Sequence, residues 1–288
     1  MPHTQHQIQQ FLQNADYHPQ YKWGQNFLID LNLMNCLTEA ADIQPHDTIL
    51  EVGTGTGSLT ELIAERAGGV VTVEIDKQLA EIAAINLSNF QNISLIHTDI
   101  LATKSTIDPA VLSAVDKACR HFDQPFKLVA NLPYQVASPL IINLLMDANK
   151  PSGMFITIQA EVANRTTALP GTRDYGLLTI LMQATGQVKQ IRKLPPQAFW
   201  PAPKVSSTMI AWTIDLEKLQ HIKSLKTLRQ VIDLLLGHRR KKIGTCLSAK
   251  APDLDFTPLL AKLNIDPNQR GETLTPQQFV ALANMLAN

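Results

Sequence analysis

The sequence contains no CxxC pair, and its three cysteines, Cys36, Cys119 and Cys246, are odd in number and widely separated. A disulfide framework and a zinc knuckle are thereby excluded, and no metal ion is expected. Each cysteine reads instead as a small buried residue in a reducing compartment. Charge of one sign is also missing: 25 Lys and Arg are matched by 25 Asp and Glu, for a net charge of zero. A nucleic-acid partner would therefore have to be held by local patches, not by a global field. No apolar run approaches the ~20 residues that a membrane span requires. The opening residues, MPHTQHQIQQFLQNADYHPQ, lack the apolar h-region of a signal peptide. The expectation is a cytoplasmic, monomeric chain with no membrane partner. Apolar material is ample: 45% of 288 residues are hydrophobic, enough for a large core and too much for a disordered chain.

Residues 1–20 read as a flexible or loosely packed lead-in. A helix is predicted from Asp30, where Leu33, Met34, Leu37, Ala40 and Ala41 recur at helical spacing. Beyond Pro45 and His46, apolar runs alternate with helical patterns. Strands are predicted at 48–52, 70–75, 93–96, 126–130 and 155–158. Between them fall a helix carrying Leu59, Leu62 and Ile63, and one capped by Asp76 and carrying Leu79, Ile82 and Ala83. A third starts at Ser138, with Pro139 at its first helical position. Strands apolar on both faces and alternating with helices imply a parallel sheet covered on both sides, the doubly wound α/β class. The stretch 102–125 fits that rhythm poorly and reads as an inserted surface helix or loop. From about 216 the pattern becomes helix after helix, and Thr275-Pro276-Gln277-Gln278 has the form of a capping box opening the last one. The expected organisation is one domain over 1–215 and a smaller all-helical domain over 216–288.

Four features fall in order at the carboxyl ends of predicted strands, where open α/β sheets bind ligands. The first is GluValGlyThrGlyThrGly at 51–57, whose Gly53, Gly55 and Gly57 let the backbone turn sharply and approach a ligand closely. Alone it suits NAD or another nucleotide, or a purely structural turn. The second is Glu74, placed about 20 residues further on to accept two hydrogen bonds from ribose hydroxyls. The third is Asp99, in HisThrAspIle, which can accept from an adenine amine or cap the following turn. The fourth is AsnLeuProTyr at 131–134. An exocyclic adenine amine is a poor nucleophile because its lone pair is delocalised into the ring. The Asn131 carbonyl, with a backbone carbonyl near Leu132 or Pro133, can accept both amine hydrogens and favour a pyramidal nitrogen. Pro133 lacks an N–H and fixes φ, which helps aim a carbonyl. Tyr134 offers a face on which an extruded base can stack. Such a site works by positioning and needs no Cys or His nucleophile.

Over nearly its whole length the chain resembles the bacterial small-subunit rRNA adenine N6-dimethyltransferase family. The likeness is carried by LysTrpGlyGlnAsnPheLeu at 22–28, the glycine turn, Glu74, Asp99 and AsnLeuProTyr. It continues in GlnAlaGluValAlaAsnArg at 159–165, AspTyrGlyLeuLeu at 174–178, PheTrpProAlaProLysValSerSer at 199–207 and HisArgArgLysLys at 238–242. The resemblance implies a Rossmann-like domain dependent on S-adenosylmethionine, with a helical carboxyl-terminal domain. It implies that Asn26, Leu28, Gly53, Gly55, Glu74, Asp99 and Asn131 hold that cofactor. Asn131, Leu132, Pro133 and Tyr134 would be catalytic, with Phe199 a second aromatic against the base. The implied substrate is two adjacent adenines near the 3′ end of 16S rRNA in an assembling small subunit. The chain departs from the family in carrying Thr54 where Pro is usual, Ala160 where Lys is common, a long segment after Asp99-Ile100-Leu101, and Gly237 where a helix former is expected.

Arg239, Arg240, Lys241 and Lys242 form the densest positive cluster. They read either as a solvated helix face or, with Lys204, as contacts to RNA phosphates. Three other functions share part of the pattern. Antibiotic-resistance methyltransferases of large-subunit rRNA carry the same Asn-(Leu/Ile)-Pro-Tyr core, but the stretch from Phe199 and the ArgArgLysLys run favour the small-subunit enzyme. DNA adenine methyltransferases usually differ at the second motif residue and carry a separate target-recognition domain. A non-catalytic RNA-binding assembly factor would not need Asn131, Pro133 and Tyr134 intact.

Overall fold

Thr4 and Gln7 form a capping box in the computed structural model, which describes residues 4–19, 24–252 and 254–287. They open helix α1 (Gln5–Asn14), which buries Ile8 and Leu12, one turn apart, in a cluster with Leu79 and Ile82. Over Gln5–Asn14 the lead-in, expected to be flexible or loosely packed, is therefore a docked helix. Its polar composition hid a narrow apolar stripe, each residue of which contributes about 2 kcal/mol by leaving water.

The next elements are β1 (Phe27–Leu28), α2 (Leu31–Ala40), β2 (Thr48–Val52), α3 (Ser58–Ala64), β3 (Gly69–Glu74), α4 (Lys77–Asn86) and β4 (Ile93–His97). Asp30 caps α2 and Asp76 caps α4, each carboxylate accepting from two backbone N–H groups. A short hairpin, β5 (Leu101–Thr103) and β6 (Thr106–Ile107), then leads into α5 (Pro109–Phe122). α5 buries Val111 and Val115 and packs on β2 and β3. Residues 102–125 are thus no surface insertion: they hold the helix that carries the chain from β4 across to β7 (Lys127–Asn131). A stripe of valine and alanine was too thin to announce this.

α6 (Ala137–Met146), β8 (Gly153–Gln159) and α7 (Ala160–Thr166) follow. Ala137 and Ser138 already belong to α6, so Pro139 stands third in the helix and not first; it is tolerated in the first turn, whose N–H groups have no helical partner. Beyond α8 (Leu177–Thr185) come β9 (Gly186–Leu194), β10 (Phe199–Trp200) and β11 (Ser207–Ile214). β9 and β11 were not expected, and they extend the sheet to seven strands in the order β4-β3-β2-β7-β8-β11-β9. The first five are parallel, while β11 runs antiparallel to β8, with Ser207 opposite Gln159. β2 is buried at every residue: it has a strand on each side, and α5 packs on the sheet over it. Strand order reverses between β2 and β7: β3 and β4 lie to one side of β2, β7 and β8 to the other. The crevice beyond the carboxyl ends of β2 and β7 is the topological switch point, where a doubly wound sheet receives a ligand.

The chain divides into two units, one of Met1–Ala163 with Lys189–Thr213, the other of Asn164–Val188 with Ile214–Asn288. The second includes 164–188, which a single cut near 215 had left with the first. It holds α8, α9 (Leu216–Gln220), α10 (Leu225–Leu236), α11 (Ile243–Lys250), α12 (Thr257–Lys262) and α13 (Pro276–Leu286). α8, α10 and α13 pack together and bury Leu181, Ile232 and Phe279. The Thr275 capping box opens α13 as expected. Cys246 is buried, but Cys36 and Cys119 are only half-buried, and none of the three is in a disulfide. No described helix is long and apolar enough to cross a membrane.

Candidate active site

The turn after β2 meets the turn after β7. Gly53 N donates to Val73 O at 2.8 Å, φ is +88°, and a Cβ there would sit 3.3 Å from the Pro133 ring. Gly55 has φ +58°, and a Cβ would meet the Phe27 ring at 3.1 Å. The two glycines keep open a cradle that any side chain would fill. Glu74 faces it from the end of β3, buried, with Oε2 accepting from Gly55 N at 2.8 Å and Oε1 from Asp76 N at 3.0 Å. The carboxylate is held in one orientation with lone pairs to spare. Burial raises its pKa, and the N–H groups of Asp76 and Gly55 pull it back.

Behind Glu74 lies a second carboxylate. Glu51 is fully buried, and its Oε2 accepts from the hydroxyls of Thr60 and Thr72, each at 2.6 Å. Thr54 extends the chain, its hydroxyl 2.6 Å from that of Thr72. The family's usual Pro at position 54 would supply no such hydroxyl. Burial pushes the Glu51 carboxyl from 4.5 up to about 7, against the Thr60 and Thr72 hydroxyls and with help from the Glu74 charge. The unfolded chain loses this proton first. The contribution of Glu51 to stability therefore falls as pH climbs from about 4.5 to about 7, by roughly 3 kcal/mol, and is level above. Glu51→Gln keeps an acceptor for both hydroxyls and removes the titration. Its melting-temperature gain over wild type is expected to be larger at pH 8 than at pH 4.5; an equal difference at both would show that Glu51 does not titrate in this range.

Asn131 ends β7. Its Nδ2 donates to Asn26 O at 3.0 Å, which fixes the amide and leaves Oδ1 as an acceptor at the crevice. Asn26 thus acts here through its backbone carbonyl, while its own side chain donates to Gly24 O at 3.0 Å. Leu132 N donates to Thr157 O at 3.1 Å, anchoring the turn to β8. The Tyr134 hydroxyl lies 2.7 Å from Ser207 Oγ, and burial raises its pKa, so the ring is held as a neutral phenol. Asp99 Oδ1 accepts from Leu101 N at 2.9 Å, so Asp99 caps the following turn and lines the crevice as well.

The crevice brings together Asn26, Leu28, Gly53, Gly55, Glu74, Asp99 and Asn131 through Tyr134. Lys22 and Trp23 of the 22–28 motif lie outside the described residues. Phe199 is not brought in. β10 pairs with β1, Leu28 opposite Phe199 and Phe27 opposite Trp200, and this turns Phe199 into the core behind Leu28. Lys204 is exposed on the loop between β10 and β11. The basic run is a turn, not a helix: α10 stops at Leu236, and a Cβ on Gly237 would lie 2.6 Å from Asp233 O. In the second unit Arg239 is committed internally, donating to the carbonyls of Arg173 and Tyr175 and pairing with Glu272 at 3.8 Å. Lys242 reaches Asn268 Oδ1 at 2.9 Å, and Arg240 and Lys241 are exposed. Ile8, Gln25 and Glu51 also line the crevice without having been singled out in the sequence; the Thr4-x-x-Gln7 box ahead of Ile8 and Leu12 was the available signal for the first.

The chain matches the family described as ribosomal RNA adenine dimethylase over residues 18–288. It is 38% identical over 267 residues to a ribosomal RNA small subunit methyltransferase A from Caldanaerobacter subterraneus subsp. tengcongensis, covering 92% of this chain and 96% of that one. It is 40% identical over 268 residues to the protein of the same name from Alkaliphilus oremlandii, covering 92% and 90%. The fold is shared with a dimethyladenosine transferase from Plasmodium falciparum, at TM-score 0.70 and 20% identity over 88% of this chain and 94% of the other. The 23S rRNA methyltransferase ErmE is similar at TM-score 0.65 and 25% identity, over 91% and 100%.

Proposed function

Since the chain belongs to the ribosomal RNA adenine dimethylase family, we propose that it dimethylates N6 of two adjacent adenines near the 3′ end of 16S rRNA. It would act as a monomer in the cytoplasm, on an assembling small subunit. The observation that carries this reading is the Asn131 amide, locked by the Asn26 carbonyl at the switch point beside Gly53. A glycine turn that a Cβ would crowd, flanked by a fixed carboxylate with lone pairs to spare, fits S-adenosylmethionine, with the turn at its methionine side and the carboxylate at its ribose. Bound there, that cofactor supplies an electrophilic methyl on a sulfonium.

Glu74 would hold the ribose, Asp99 the cofactor's adenine amine, and Asn26, Leu28, Gly53 and Gly55 the remaining wall. Asn131 Oδ1 and a backbone carbonyl at Leu132 or Pro133 would accept both hydrogens of the target amine, leaving its lone pair directed outward. The neutral Tyr134 ring would stack on the base, and Phe199 would support that wall from behind Leu28. Lys204, Arg240, Lys241 and Lys242 would contact phosphates. Arg239 would instead shape the turn that presents three of them.

The test supplies labelled S-adenosylmethionine with immature small subunits, or with large subunits, and analyses the nucleosides. N6,N6-dimethyladenosine in small-subunit RNA alone is expected. Label in large-subunit RNA would place the chain beside ErmE in function; no label from a cofactor-binding protein would make it a non-catalytic RNA-binding factor. Across a salt series, changing Arg240, Lys241 and Lys242 together to Ala should weaken RNA binding and flatten its salt dependence. An unchanged slope would remove these residues from the RNA interface.

A further inference from the structure

Tyr17 follows α1 and is 5% exposed. Its hydroxyl lies 2.8 Å from Asp76 Oδ2 and 2.7 Å from Gln25 Oε1, two groups from different parts of the chain; the single phenol proton serves one of them at a time, and the Asp76 carboxylate is the stronger acceptor. Burial and the Asp76 carboxylate both raise the pKa of the phenol, so it stays a donor. Asp76 is fully engaged. Its Oδ1 caps α4 through Gln78 N and Leu79 N, its N–H holds Glu74 Oε1, and its Oδ2 takes the phenol. One unbroken series of hydrogen bonds thus runs from the amino-terminal arm to the carboxylate at the cradle. On the arm's other side, Gln25 precedes Asn26, whose carbonyl fixes the Asn131 amide. Ile8 of α1 and Gln25 both line the crevice.

We propose that Tyr17 is a positioning residue, a clasp that holds the amino-terminal arm against the start of α4 so that one contact both retains the cofactor and aligns Asn131. The inference rests on the crevice being the S-adenosylmethionine site. Tyr17 touches no reacting atom and acts through Asp76, Gln25 and Asn26.

Calorimetric titration of S-adenosylmethionine into the full chain tests it, using Tyr17→Phe, Asp76→Ser and the double variant. Serine keeps a side-chain oxygen for the α4 cap but not a second acceptor for the phenol. Each single change is expected to weaken binding roughly five- to tenfold. The double should be no weaker than Tyr17→Phe alone, because losing the hydroxyl already removes the Asp76 contact. In steady state the KM for S-adenosylmethionine should rise while that for RNA stays put, a split that general loosening of the fold would not produce. If wild type itself does not bind S-adenosylmethionine, the reading of the crevice fails. If wild type binds and Tyr17→Phe binds equally well, or the single effects multiply in the double, the clasp is overturned.

Discussion

Replacing Asn131 by Ala is expected to cut methyl transfer roughly 10²- to 10³-fold, the scale of losing a preorganised electrostatic partner of the transition state. Cofactor affinity should fall less than about tenfold, because Glu74, Asp99 and the glycine cradle remain. The asymmetry follows from what the side chain does. Its Nδ2 is already spent on Asn26 O, so only Oδ1 is offered to a substrate. A carbonyl that accepts one amine hydrogen matters little in the ground state, where the nitrogen is planar, and more as the nitrogen becomes pyramidal. Asn131→Asp keeps an acceptor but sets a carboxylate against the Asn26 carbonyl, so it should retain more turnover than the alanine variant and less than wild type. Single-turnover rates with saturating cofactor check both. Transfer by Asn131→Ala at the wild-type rate would refute the assigned role.

Glu74→Ala should raise the dissociation constant for S-adenosylmethionine about 100-fold, the loss of two charge-assisted hydrogen bonds at roughly 1.5 kcal/mol each. The ligand-free protein should still fold, because Glu74 is a buried carboxylate whose charged form burial disfavours. Its backbone donors, Gly55 N and Asp76 N, lose their partner but face the crevice, where water can replace it. Calorimetry with the cofactor and with S-adenosylhomocysteine should show the same loss for both, since they share the ribose. A loss confined to one would move Glu74 away from the sugar.

The parallel half of the fold was readable because its signals are local. Five apolar strands, the Asp76 cap and the glycine turn each declare themselves within a few residues, as does the Thr275 capping box in the helical unit. The candidate residues at strand ends were readable for a topological reason: once strands are parallel, their carboxyl ends share one edge. What escaped depends on distant partners. Nothing near Tyr17 points to Asp76, and nothing near Tyr134 points to Ser207. The burial of Phe199 follows from its pairing with Leu28, not from its own motif. A run of four basic residues does not say which one will find carbonyls, and here Arg239 does. β9 carries Lys189, Arg192 and Lys193 because it is an edge strand, and that polarity disguised it.

The two-residue pairing of β1 with β10 has a bearing on how the protein is made. Phe27 stacks on Trp200, with ring centroids 6.3 Å apart, so one wall of the cradle joins the beginning of the chain to a point well past its middle. During synthesis the five parallel strands can emerge and assemble in order, but that wall waits for residues 199 and 200 to leave the exit tunnel. A nascent chain shorter than this has its glycine turn, Glu74 and Asn131, yet no strand to hold β1 in place. The completed cradle is therefore a late event of translation, reached only after most of the chain has passed through the exit tunnel of the kind of particle it is proposed to modify.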